Sequence, residues 1–242
     1  MLLWIAAAVA AFFVKGLCGF ANTLVFTSVL SFGIDNLNIS PIELLLGYPA
    51  NFILTLQNKK RLKPLIVIPL TILVIAGIIP GTFLLKNVEG QYLKIFFGVV
   101  VVLIGVQTYL KEKFLRSSKR ESGPSKAILV IVGFLSGILC GLFGVGALLA
   151  AYAGQISKST DEFKANINAV FIVENTFRIV AYLLFGIITL ETIKIVLLLL
   201  PIAVLALFAG IKCSHIISER TSKRIVIIAL IISGLSLIIK NI

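Results

Sequence analysis

The 242 residues carry 22 Lys and Arg against 10 Asp and Glu, a net charge of +12, yet hydrophobic residues make up 59% and the mean hydropathy is +1.11. A water-soluble domain of this size needs a polar shell that 13% charged residues do not supply. The basic residues gather in short connections, at Lys59-Lys60-Arg61-Leu62-Lys63, Lys111 to Lys126 and Lys212 to Arg224. They read as the topology-setting flanks of membrane spans, and no nucleic-acid partner is expected.

The chain begins with an apolar stretch around Trp4 that lacks the positive flank of a signal peptide. It runs into Gly16-Leu17-Cys18-Gly19-Phe20-Ala21, a glycine-rich interruption, before apolar character resumes. Leu2 to Val14 and Leu24 to Ile34 are each too short to cross about 30 Å at ~1.5 Å per residue. The pair is expected to form a V-shaped re-entrant hairpin, two short full crossings being the alternative. Ser40-Pro41-Ile42-Glu43 then predicts a helix start, with an N-cap serine, proline at the first helical position and a glutamate closing a capping box. Apolar stretches of spanning length follow from Lys63 to Leu85 and from Tyr92 to Leu110.

A polar segment with Ser117-Ser118, Glu121 and Ser122-Gly123-Pro124 separates this half from one that repeats it. Ile128 to Leu139 and Ala147 to Ile156 flank a second break, Gly141-Leu142-Phe143-Gly144-Val145-Gly146. Ser159-Thr160-Asp161-Glu162 repeats the capping signal, and spans follow at Ala165 to Ile188, Ile193 to Ile211 and Ile225 to Ile239. Gly81 with Gly210, Lys94 with Lys223, Gly105 with Gly234 and Lys111 with Lys240 pair at one common offset. The connection after the capped span is basic in the first half, whereas in the second half the basic connection is the next one. Corresponding loops therefore fall on opposite sides. The expected fold is all-α: a polytopic helical membrane protein of two inverted-topology repeats, each a broken or re-entrant helix pair plus three transmembrane helices. Residues 1–113 form the first repeat, 114–126 a cytoplasmic linker and 127–242 the second, together one transport domain.

Paired broken helices in an internal repeat mark the binding site of a secondary transporter. Each second piece starts with unsatisfied N–H groups and a dipole that favours negative charge. Gly19, Ala21, Asn22 and Thr23, with Gly144, Val145 and Gly146, are thus candidate binders of a small anion, or else glycines that permit tight helix crossing. Lys15 is either a cation for that anion or a lysine snorkelling from a helix end. Glu174 and Arg178 lie four apart on one helix, a spacing that permits an ion pair with Glu174 as partner or coupling group, or leaves Arg178 for substrate. Asn175 and its first-half counterpart Asn51 complete the candidates, with Tyr48 and Gln57 weaker. His215 has no second ligand at metal spacing and no nucleotide-cradling motif is present, so neither metal, cofactor nor enzymatic chemistry is expected. The competing reading is a membrane thiol-disulfide carrier of the DsbD/CcdA type using Cys18 and Cys140, neither of which belongs to a Cys-x-x-Cys motif. The sequence leaves the oligomeric state open.

At these residues the chain resembles the sulfite exporter family TauE/SafE. The likeness spans both halves and rests on the Gly141 to Gly146 break, the Gly16 to Ala21 break and the Gly81 and Gly210 helix ends. It implies a multi-pass protein of the bacterial inner membrane that moves sulfite, organosulfonates or related sulfur anions. Where many members have a run of glycines and a proline-containing helix, this chain has Phe20-Ala21-Asn22-Thr23.

Overall fold

The computed structural model describes residues 1–30, 33–89, 126–144, 146–157 and 159–214, with scattered positions between 91 and 106 and at 231, 235 and 238. Val145, His215, the linker up to Ser125 and the paired residues Lys94, Gly105, Lys111, Lys223, Gly234 and Lys240 lie outside the described residues.

The described chain is helical: α1 (Leu2–Cys18), α2 (Asn22–Leu30), α3 (Asn36–Gln57), α4 (Pro64–Asn87), α5 (Lys126–Phe143), α6 (Ala147–Ile156), α7 (Thr160–Leu184) and α8 (Leu190–Ser214). Of these, α4, α7 and α8 and the Leu37–Gln57 part of α3 are long and apolar enough to cross a membrane. Leu65, Ile72, Ile79 and Phe83 of α4 and Leu197 and Leu205 of α8 are exposed on their outer faces, where lipid removes the penalty of meeting water. The described positions between 91 and 106, and those at 231, 235 and 238, are helical as well.

Both breaks use the same device. Gly19, φ 84°, ends α1 with its N–H donating to Lys15 O at 2.7 Å, and Gly144, φ 71°, ends α5 with its N–H donating to Cys140 O at 2.8 Å. Left-handed backbone costs a residue bearing Cβ ~1–2 kcal/mol, so glycine stops the helix there at little cost.

Three expectations need correction. The first pieces are longer than the sequence suggested: α1 has 17 residues and α5 has 18, about 26 Å of helix each, close to the hydrocarbon thickness. The motifs at Gly16 and Gly141 predict that the breaks open there, but both glycines stay helical because another helix lies against them. A Cβ on Gly16 would meet the Leu207 carbonyl and, at 2.8 Å, Gly210 Cα; one on Gly141 would meet Ile78 O at 2.6 Å and Thr82 N at 2.8 Å. That packing offsets the ~1 kcal/mol a glycine costs inside a helix. The capping box at Ser40 is also absent: α3 starts earlier, behind Asp35, and Ser40, Pro41 and Glu43 lie within it. Burial explains this, since Ser40 and Glu43 both find partners in the interior. The second signal holds, Ser159 Oγ accepting from Glu162 N at 3.2 Å.

Packing between the halves is reciprocal. The first helix of each half rests on the fourth of the other, α1 on α8 and α5 on α4, with Gly16 against Gly210 and Gly141 against Gly81. Helices α3 and α7 run antiparallel: Ser40 bonds Tyr182, Tyr48 bonds Thr176 and Lys63, just past α3, pairs with Glu162 at the start of α7. One apolar cluster joins α1, α2, α3 and α8, another α4, α6 and α7.

Candidate functional site

Four charged side chains are withdrawn from the surface together. Lys15 (α1), Glu43 (α3), Glu174 and Arg178 (α7) are each 3% exposed or less. Lys15 Nζ donates to Asn22 Oδ1 at 3.1 Å and to Asn51 Oδ1 at 2.6 Å. Glu43 Oε1 accepts from Asn22 Nδ2 at 2.5 Å and from Thr23 Oγ1 at 2.7 Å. Its Oε2 faces Arg178 Nη2 at 3.3 Å, while Arg178 Nη1 donates to Glu174 Oε1 at 3.2 Å and to Cys140 O at 3.0 Å. The guanidinium lies 5.5 Å from the Tyr182 ring, whose hydroxyl donates to Gly141 O at 3.0 Å. Arg178 Nε is buried and has no acceptor among the described residues.

Lys15, Glu43 and Glu174, but not Arg178, border a cavity of about 20 Å³, roughly the space of one water. Of the residues expected at the site, Lys15, Ala21, Asn22, Thr23, Asn51, Gly144, Gly146, Glu174 and Asn175 line it. Gly19 does not: the stem of Lys164 covers its α-carbon and Asn168 Nδ2 holds its carbonyl at 3.0 Å, so its part is to end the helix. Arg178 stands behind Gly144, where a Cβ would lie 2.7 Å from Nη1 and 2.9 Å from Glu43 Oε2. The glycine thus leaves room for the Arg178–Glu43 bridge.

Ala21 adopts φ 74° without being glycine, whereas Gly146, its counterpart, has φ −89°. Gly146 serves a different need, because a Cβ there would strike the Phe171 ring. Tyr48 bonds Thr176 at 2.8 Å. Cys18 and Cys140 are in no disulfide, and the Cys140 carbonyl serves as an acceptor for Arg178. No group of three or more His, Cys, Asp or Glu suited to a metal occurs among the described residues.

Glu43 is the site residue that sequence reasoning missed. Its place three residues after Ser40 gave it a capping role, and the counter-signal was a carboxylate within an apolar span, a functional pointer of the same kind as Glu174. Asn168, which ties the first break to α7, was visible only as one of several asparagines on that helix.

The family model for sulfite exporter TauE/SafE fits residues 3–237. The chain belongs to the TauE/SafE family. This is a membrane transporter family, and the match spans both halves. Comparison with curated proteins and with solved structures gives no match.

Proposed function

We propose that this TauE/SafE protein is a secondary transporter for small sulfur-containing anions, sulfite or a sulfonate, in the bacterial inner membrane. The anion binds between the two glycine breaks. The observation that carries the reading is the convergence of both breaks on one buried cluster that holds two cations, Lys15 and Arg178, with the first turn of α2 at its wall. A charge at the centre of a span costs about 3 kcal/mol on the insertion scale, and apolar side chains would pack the same helices at lower cost. Four such groups gathered together, three of them lining a cavity, therefore fit a binding role better than a packing role. Arg178 supplies a planar fork suited to two oxygens of a sulfonate or sulfite, and its buried Nε is a further donor in want of an acceptor. Antiparallel α3 and α7 support inverted halves, which would rock about this site to give access from each side in turn.

The test is exchange of radiolabelled sulfite in proteoliposomes, with binding of sulfite, sulfate, thiosulfate, sulfoacetate and taurine to the purified protein measured alongside. Saturable exchange and competition among the anions are expected. Failure of every one of them to bind or exchange would remove the reading.

A further inference from the structure

The proposed anion site already holds a carboxylate. Glu43 occupies the donors an oxyanion would use: Asn22 Nδ2 and Thr23 Oγ1 in the first turn of α2, and Arg178 Nη2 behind Gly144. The remaining space admits roughly one water, less than a sulfur bearing three oxygens requires. An anion enters this arrangement only by displacing Glu43.

Charge adds a second constraint. Facing Glu43 are Lys15 from α1, Asn22 and Thr23 from α2, Glu174 and Arg178 from α7, with Tyr182 beside the guanidinium and the Cys140 carbonyl from α5. Among the described residues, no charged or titratable side chain of α4 or α8 lines the cavity. Two cations balance two carboxylates. An added monoanion would leave a buried, unpaired negative charge unless a carboxylate gives up its own.

We infer that Glu43 is a tethered stand-in for the substrate, released by taking up a proton as the anion binds, so that anion and proton move in the same direction. The inference rests on the anion site proposed above. In the loading step a proton from the open side bonds to the Glu43 carboxylate, whose contacts to Asn22, Thr23 and Arg178 break. The same three donors then bond to the anion, and the site's net charge is unchanged. Unloading reverses each change and returns the proton to the other side. Glu174 stays on Arg178 Nη1 as the fixed counter-ion. Because Glu43 belongs to the first half and Arg178 to the second, its release also unfastens a bridge between the halves when the site is loaded.

Proton uptake is counted by titration calorimetry of the full chain in buffers of different ionisation enthalpy. The probe is methanesulfonate, a monoanion that does not protonate near neutral pH, or the tightest binder of the panel above, corrected for its own charge and ionisation. The expected result is one more proton taken up per anion by the wild type than by Glu43→Gln, with Glu191→Gln, exposed in the first turn of α8, behaving as the wild type. Wild-type binding without proton uptake, or the same uptake by Glu43→Gln, overturns the inference and leaves the anion site standing. Absence of binding by the whole panel overturns the site itself. If Glu43→Gln does not fold, infrared difference spectra replace it. A protonated-carboxyl band that appears on anion binding and shifts in Glu43→Asp is expected, and its absence from the wild type overturns the inference.

Discussion

Gly144 shows how one residue ties the break to the charges. Its φ of 71° and the 2.7 Å from its virtual Cβ to Arg178 mean that Gly144→Ala is penalised twice, by strain and by collision with the Arg178–Glu43 bridge. We expect a loss of about 1–2 kcal/mol from the backbone alone. Gly144→Val should abolish sulfite exchange, measured in proteoliposomes alongside thermal unfolding in detergent; a folded Gly144→Val that exchanges at the parental rate would make the break a packing device only. Arg178 is subject to a similar double constraint. The spacing of Glu174 and Arg178 suggests that replacing both would restore a neutral interior, but Arg178 also faces Glu43, so that double replacement leaves a buried carboxylate without its partner. Arg178→Met should cost about 3–5 kcal/mol of stability, with Glu174→Gln in the same chain recovering only part of it. Full recovery on unfolding by heat or denaturant would show that Glu43 does not depend on Arg178. Arg178→Lys keeps the charge, and its expected signature is weaker anion affinity at nearly normal folded yield.

The helices meet backbone to backbone at glycine, and this decides where they can cross. On α4 and α5, Gly77, Gly81, Gly137 and Gly141 interleave, a Cβ on Gly77 meeting the Phe134 carbonyl and, at 2.7 Å, Ile138 N. Backbone atoms cannot step aside as a side chain does. Gly77→Val or Gly210→Val should therefore separate the paired helices and destabilise by roughly 1–3 kcal/mol, read as lower folded yield and earlier thermal unfolding. Gly186, with open space about it, makes a poor comparison because its φ of 68° penalises any side chain. Gly33 has a free surround and no such φ, and Gly33→Ala should leave yield unchanged. At this scale the sequence was legible in part. Gly16, Gly81, Gly141 and Gly210 stood out as paired positions, but their contact across halves, α1 to α8 and α5 to α4, joins residues that share no local pattern.

For the whole molecule, the reversed loop charges and the antiparallel course of α3 and α7 bear on the same question. If the halves are inverted, the Lys59–Arg61 turn and the loop at Phe185 to Ile188 lie on opposite faces of the membrane, the basic one inside. Single cysteines placed at Lys60 and at Ile188, in a chain with Cys18, Cys140 and Cys213 replaced by serine, should react with impermeant reagents from opposite sides. The same serine background distinguishes transport from thiol chemistry: exchange of sulfite should continue in it, whereas a redox carrier would lose its activity.

Composition and periodicity alone determined that the chain is a helical membrane protein, because an apolar content of 59% has no other folded home, and spans are set by local length and hydropathy. The two breaks were equally legible, since glycine at a helix end acts through its own φ. Lys15, Asn22, Thr23, Asn51, Glu174 and Asn175 were recognisable as polar groups in apolar surroundings, which requires only neighbours along the chain. Tertiary structure alone decided which of them meet. It moved Glu43 from a helix cap to the centre of the cluster, set Gly19 aside from the cavity and placed Arg178 behind Gly144. Each of these depends on a contact between helices far apart in sequence, and a hydrogen bond between Glu43 and Arg178 is a property of how α3 packs on α7, not of either segment by itself.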